Sequence, residues 1–245
     1  MRVLSLIHGV NAHSGVFADP VRERGHELHQ ASYALDQPPS RPVSEYDAVM
    51  VFGGSMNTHE EDLHPWLRDE KQAIAQALEA DLPLFGVCLG SQLLSEVAGG
   101  DVERSDVSEI GWYEVELTPE AAADPVFAGL PARFDTYQWH SYRSVLPPGG
   151  VELARNAVCL QAYRVGDRAW GIQFHAEVTR ENAELWISRY DTDPNAVAAG
   201  FDPAAARAEL VERIEGWNAI GRRLAGAFVA HAEGLQETPA RRATA

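Results

Sequence analysis

Cysteine is scarce in this chain: 245 residues hold two, Cys88 and Cys159. Two are no disulfide framework, so a reducing compartment, the cytoplasm, is the expected location. Positive charge is also short. Twenty Lys and Arg face 36 Asp and Glu, a formal net charge of −16. Nucleic acid and anionic membrane both call for clustered positive charge, so neither is an expected partner. The acidic surplus reads as a solvated surface and does not identify a cationic partner. Long apolar runs are missing too. Nothing approaches the roughly 18 consecutive apolar residues of a membrane span. The apolar run at residues 3–7 is too short for a secretory leader, and no cleavage pattern follows it. There is no Gly-x-x-x-x-Gly-Lys phosphate loop, so no ATP site is expected. No internal repeat is visible. What remains is a chain that is 45% hydrophobic, enough for one large α/β domain with an extension.

The order of patterns supports that class. Residues 3–7, 48–52 and 82–87 are apolar without alternation, as in strands buried on both faces. Residues 27–34 form a weaker strand candidate. Helical patterns fall at 17–24 and 66–80, the second with Trp66, Leu67, Ile74 and Leu78 along one side and charge elsewhere. Strands ending in glycine-rich loops and alternating with helices predict a doubly wound, mostly parallel sheet, with ligands at the carboxyl ends of its strands. After Gly99 the texture becomes β-rich, with strands expected at 112–117, 151–154, 158–163 and 169–174. Gly166-Asp167 signals a two-residue hairpin, and Thr179 should cap a helix running to about 190.

Residues 1–190 read as the main domain and 191–233 as a helical extension. Asp193-Pro194 and Asp202-Pro203 are plausible helix starts. Leu210, Ile214, Trp217, Gly221, Leu224 and Phe228 line one face of a long helix. Packing on the main domain is the usual meaning of such a stripe; a homodimer or partner surface is the alternative. Residues 234–245 are small and polar and are expected to be disordered.

The chemistry gathers at residues 83–94, Pro-Leu-Phe-Gly-Val-Cys-Leu-Gly-Ser-Gln-Leu-Leu. A strand, a tight turn and a helix meet at Cys88, the layout that exposes the serine of Gly-x-Ser-x-Gly hydrolases. Glycines two before and two after the thiol let the turn close. A helix amino terminus favours a thiolate, so Cys88 is the candidate nucleophile. A nucleophile needs a base and a group to orient the base. His175 and Glu177, two apart at a strand end, leave one face in extended geometry and fit those roles. The N–H of Leu89 and that of Gly54, in the turn Gly53-Gly54-Ser55-Met56, are natural oxyanion donors.

These segments resemble the class I (triad) glutamine amidotransferase family. The resemblance lies in Phe-Gly-Gly-Ser (52–55), Gly-Val-Cys-Leu-Gly-Ser-Gln-Leu (86–93) and Gly-Ile-Gln-Phe-His-Ala-Glu-Val (171–178), in that order. Gln138-Trp139-His140 and Glu109-Ile110-Gly111-Trp112 are similar to the amidotransferase domain of GMP synthetase in particular. The resemblance covers about residues 1–190. It implies a flavodoxin-like class I amidotransferase fold, no cofactor, and an enzyme that cleaves the side-chain amide of glutamine through a γ-glutamyl thioester and releases ammonia, with a separate synthetase or acceptor enzyme as a possible partner. It implies Cys88 as nucleophile, His175 as base and acid, Glu177 as orienter, and Gly54 and Leu89 as oxyanion donors. Gly53, Gln92, Trp139, His140 and Ser141 would line the substrate pocket. Two departures stand out. Ala176 replaces the family's proline between histidine and glutamate, and Ser141-Tyr142-Arg143 replaces a Gly-Asp pair beside the substrate's α-amino group. A γ-glutamyl amine or peptide is therefore an alternative to free glutamine, and a non-catalytic binding module is a third reading. Cys159, in an apolar strand, reads as inert core. His59, Glu60, Glu61, Asp62 and His64, like His8 and His13, read as solvated polar residues and not metal ligands, so no metal is expected.

Overall fold

The computed structural model describes residues 1–9 and 12–237. In chain order the elements begin with β1 (Arg2–Leu6), α1 (Ala18–Glu23), β2 (Glu27–Ala31), β3 (Ala48–Val51), α2 (Trp66–Glu79), β4 (Leu84–Val87) and α3 (Leu89–Val97). They continue with β5 (Val102–Leu117), β6 (Arg133–Ser144), β7 (Val151–Arg155), β8 (Leu160–Val165), β9 (Ala169–Ile172), α4 (Arg180–Ser188), α5 (Pro194–Ala198) and α6 (Pro203–Glu237).

One nine-stranded sheet carries the molecule, ordered β2-β1-β3-β4-β9-β8-β7-β5-β6. From β2 to β9 the neighbours are parallel. From β9 to β6 they are antiparallel. The sheet is thus mixed, with the doubly wound part forming one half. Alternation splits the central strands between two cores. Val3, Met50, Phe85, Val87, Trp170 and Ile172 face α1 and α6. Leu4, Leu6, Val49, Val51, Leu84 and Ala169 face α2 and α3. Each Val, Leu, Ile, Phe or Met among them contributes about 1.5–3 kcal/mol when fully buried.

The antiparallel half departs most from expectation. β5 starts ten residues before Trp112, and its pairing with β6 shifts register between Arg104 and Glu109. β6 itself has no counterpart among the expected strands. Polar residues occupy its buried positions, among them Thr136, Gln138 and His140, so no apolar alternation marks it. The β8–β9 turn holds three residues, with Val165 opposite Ala169, one more than the Gly166-Asp167 signal implies. Thr179 caps α4 by accepting from the N–H of Asn182.

α6 buries the whole expected stripe, from Leu210 and Ile214 through Trp217, Leu224 and Phe228, in the core it shares with α1 and the sheet. That face is occupied within the chain and is not a dimer surface. The helix continues to Glu237, so residues 234–237 of the expected tail are helical; residues 238–245 lie outside the described set. On α2 the expectation of charge kept off the apolar side fails at one position. Glu70 lies between Leu67 and Ile74 on the buried stripe and is 0% exposed.

Candidate active site

Cys88 sits where β4 turns into α3, at the carboxyl edge of the parallel strands. Its backbone has φ 51° and ψ −108°, a left-handed conformation rare for a residue with a β-carbon. The surrounding structure fixes it there. Its N–H donates to the carbonyl of Ile172 at 2.8 Å, and its carbonyl accepts from the N–H of Gln92 at 3.0 Å. The flanking glycines are required for close approach. A β-carbon on Gly86 would lie 2.6 Å from the carbonyl oxygen of Gly90, and one on Gly90 would run into the carbonyl of Val51.

His175 and Glu177 do not sit on an extended strand. β9 ends at Ile172, and both residues lie in the turn that follows. The turn still brings the side chains together: His175 Nδ1 is 2.8 Å from Glu177 Oε1. Four neighbours hold this segment. The N–H of His175 donates to Tyr137 at 2.8 Å, and the carbonyl of Glu177 accepts from Val16 at 2.9 Å. Trp217 donates its indole N–H to the carbonyl of His175. The Trp186 ring meets the imidazole edge-on, with centroids 4.7 Å apart. Burial works against a charged imidazole here, but the charges of Glu177 and Cys88 and a side-chain hydrogen bond to each outweigh it and push the His175 pKa up to about 10. An imidazole hydrogen-bonded to a carboxylate thus feels the charge of the thiol beside it.

The Gly53-Gly54 turn, just past β3, presses on the same group. A β-carbon on Gly53 would lie 2.8 Å from Cε1 of His175 and 3.6 Å from Cβ of Cys88. One on Gly54 would lie 2.8 Å from a methyl of Leu89. The structure thus places Gly53, Gly54, Cys88, Leu89, His175 and Glu177 side by side, although three separate segments supply them.

All of these but Leu89 line a cavity of about 590 Å3, together with Gln92, Trp139, His140 and Ser141. The side chains of these four are engaged in the wall. Gln92 donates to the carbonyl of Tyr142 at 3.0 Å and to Gln173 at 3.2 Å. The Trp139 indole donates to Asp193 Oδ2 at 2.9 Å. Ser141 shares a hydrogen bond with Ser108 at 2.9 Å. His140 Nε2 lies 3.1 Å from Glu109 Oε2, and Glu109 also accepts from Asn156 and Gln161.

Sequence reasoning missed the outer wall, where Trp186 comes from α4, Arg189 and Asp193 follow that helix, and Arg104 comes from β5. Asp193 does cap α5, as its Asp-Pro pattern suggests, but nothing in that pattern tells of its bond to Trp139. Arg104 donates to Asn195 at 3.0 Å and lies over the Tyr142 ring.

The other polar candidates resolve differently. His59 bonds the carbonyl of Val102, Glu60 takes Asn57, Glu61 pairs with Lys71, and Asp62 pairs with Arg68. That loop is tied up locally and gathers no ligand set. Among the described residues, the group with metal-ligand proximity is Glu109, His140 and Cys159. The bonds from Asn156 and Gln161 already engage both oxygens of Glu109. Cys159 is buried, and burial with the Glu109 charge pushes its thiol far up. Both cysteines are free. Among the described residues, no helix is long and apolar enough to cross a membrane.

Comparison with known proteins agrees with the geometry. Residues 15–188 match the sequence model of glutamine amidotransferase class-I. A GMP synthase (glutamine-hydrolyzing) of Thermomicrobium roseum is 39% identical over 131 residues, 53% of this chain and 23% of that protein. A gamma-glutamyl-L-1-hydroxyisopropylamide hydrolase of a Pseudomonas species is 31% identical over 147 residues, 56% of this chain and 49% of that protein. Each match therefore spans less than half of the curated relative. A crystal structure of a glutamine amidotransferase from Thermotoga maritima superimposes with a TM-score of 0.84 at 29% identity, covering 94% of this chain and 98% of that one.

Proposed function

Because this chain belongs to the class I glutamine amidotransferase family, we propose that it hydrolyses γ-glutamyl amides through a thioester on Cys88. The observation that carries the reading is the His175–Glu177 hydrogen bond beside Cys88, with all three residues lining one cavity. The Cys88 sulfur attacks the γ-carbonyl carbon. The oxyanion that develops takes hydrogen bonds from the N–H groups of Gly54 and Leu89. The C–N bond breaks, and the proton on His175 goes to the departing nitrogen. Water then attacks the thioester carbonyl, His175 takes its proton, and glutamate leaves as Cys88 is restored. Glu177 keeps the imidazole oriented and stabilises its charged form.

Glutamine, with ammonia as the leaving group, is one substrate of this reaction, and a separate acceptor enzyme then has a use for the ammonia. Two observations favour a second reading, in which the leaving amine carries a substituent. The cavity volume of about 590 Å3 sits mid-range for drug-sized ligands, well beyond what a single small amino acid fills. The Pseudomonas relative is named for a substituted γ-glutamyl amide. The test is mass spectrometry of the purified chain after exposure to glutamine and to a panel of γ-glutamyl amines. A γ-glutamyl mass on Cys88, absent from Cys88→Ala, supports the reaction, and the compounds that produce it report the substrate. No adduct and no amine release from any member rejects the reading.

A further inference from the structure

A second histidine–glutamate pair lies against the glycine turn. His8 follows β1 and Glu70 sits on α2, with side chains 1% and 0% exposed. His8 Nε2 is 2.9 and 3.0 Å from the two oxygens of Glu70. His8 Nδ1 is 2.8 Å from the carbonyl oxygen of Gly53. The Trp66 ring packs beside the imidazole at 5.2 Å. Cγ of His8 would lie 3.1 Å from a β-carbon placed on Gly54.

The chemistry of these partners decides the state of the ring. A carbonyl oxygen only accepts, and an ionised carboxylate only accepts. A ring that bonds both must carry a proton on each nitrogen. Burial opposes that charge, and Glu70 with the Gly53 carbonyl outweighs it, raising the His8 pKa. The bond to Gly53 is then charge-assisted and about twice as strong as a neutral one.

That bond fixes more than an oxygen. No cis peptide bond occurs among the described residues. In a trans peptide unit the C=O and the N–H point in opposite directions in one plane. The unit whose oxygen His8 holds is the one whose N–H belongs to Gly54. Glycine on both sides gives this unit no side-chain restraint of its own.

We propose that His8, held by Glu70, is a positioning residue that aims the Gly54 N–H at the oxyanion by gripping the other end of its peptide unit. This rests on the γ-glutamyl thioester reading above. Glu70 serves by keeping both ring nitrogens protonated, which accounts for a carboxylate on the buried stripe of α2.

The test separates a step that forms an oxyanion from one that does not. Acylation of Cys88 by γ-glutamyl-p-nitroanilide forms an oxyanion, and release of p-nitroaniline reports it. Alkylation of Cys88 by iodoacetamide is displacement at a saturated carbon and forms none. His8→Leu removes the donor. Since one oxyanion donor is worth about 10²–10³ in rate and here it is only misaimed, acylation should fall about 10–100-fold. Alkylation should stay within about twofold. His8→Asn restores an N–H close to the position of Nδ1 and should recover most of the loss. Should His8→Leu fail to fold, Glu70→Gln supplies the reading. Its amide can donate to Nε2, leaving a neutral ring with Nδ1–H on Gly53, and acylation should fall several-fold with alkylation unchanged. Acylation and alkylation lost in equal proportion, neither lost, or His8→Asn no better than His8→Leu overturns the proposal. If the wild-type chain is alkylated but acylated by no γ-glutamyl amide, the thioester reading itself fails and the role of His8 falls with it.

Discussion

The indole N–H of Trp217 donates to the main-chain carbonyl of His175 at 2.9 Å. A helix more than 40 residues further along the chain thus holds the backbone of the candidate base. Asn218, the next residue, donates to the carbonyl of Val178 at 2.7 Å. Together they tie α6 to both ends of the turn that carries His175 and Glu177. Trp217→Phe keeps most of the ring and deletes the donor. Leaving the buried carbonyl unpaired should cost about 1–3 kcal/mol, read as a lower urea midpoint with unchanged slope. The imidazole also loses one of its anchors, so kcat should fall about tenfold or more with little change in KM.

One turn on, Gly221 meets the same segment without a hydrogen bond. A β-carbon there would run into the carbonyl oxygen of Ala176. Gly216, on the same helix, has open space within 4 Å. The same substitution should therefore have opposite signs five residues apart. Gly216→Ala should stabilise by up to about 1 kcal/mol through helix propensity. Gly221→Ala should destabilise by about 1–3 kcal/mol through overpacking. Thermal midpoints measured side by side check this, at roughly 2–4 °C per kcal/mol for a chain of this size.

What the sequence carries and what it hides divide along a physical line. The strand–turn–helix at Cys88 is legible because its geometry demands glycine at fixed offsets, and Gly86 and Gly90 satisfy real backbone contacts. The parallel half is legible at β3 and β4, which are buried on both faces and apolar throughout, and fainter at the part-exposed edge strand β2. β6 is hidden because its buried positions hold Gln138 and His140, whose partners Gln161 and Glu109 lie far away in sequence. The turn bearing His175 and Glu177 is half legible. Spacing of two suggests a shared face, yet the contact arises in a turn that α6 holds. The outer wall at Trp186 and Asp193 gives no local signal, since cavity lining depends on tertiary placement alone.

The raised His175 pKa beside Glu177 makes a prediction at alkaline pH. The folded His175 pKa, near 10, lies above the ordinary 6.5 of the free side chain. The ion pair therefore contributes stability fully below about pH 6.5, and loses it as pH rises through about 10. Proton donation to the leaving amine should fail over the same upper range, so p-nitroaniline release should show an alkaline limb near pH 10. Glu177→Gln removes the charge and keeps the volume. The limb should move toward neutral pH, and kcat should fall by roughly 10²–10⁴. An alkaline limb that stays in place in Glu177→Gln rejects the assignment of that limb to His175.

The wall at His140 and Ser141 makes the final expectation. Glu109 is 0% exposed and accepts from Asn156 at 2.5 Å and Gln161 at 2.8 Å, with His140 Nε2 at 3.1 Å. Burial raises its pKa, but the bonds and charge of His140 and the bonds from Asn156 and Cys159 outweigh this and hold it below 4.5. A depressed carboxyl pKa contributes stability above the unfolded value and loses it as pH falls through the folded one. Glu109→Gln places an amide N–H₂ among donors that need acceptors. Breaking such a buried pair should cost about 3–5 kcal/mol near pH 7. The wild-type and Glu109→Gln stability curves should draw together only as pH falls through the depressed folded pKa of Glu109, where the wild-type carboxyl takes up its proton too. Because His140 and Ser141 line the cavity while Cys88 and His175 are anchored elsewhere, the variant should raise KM for γ-glutamyl amides far more than it lowers kcat. A loss confined to kcat would place the Glu109 network behind the thiol instead of behind the substrate wall.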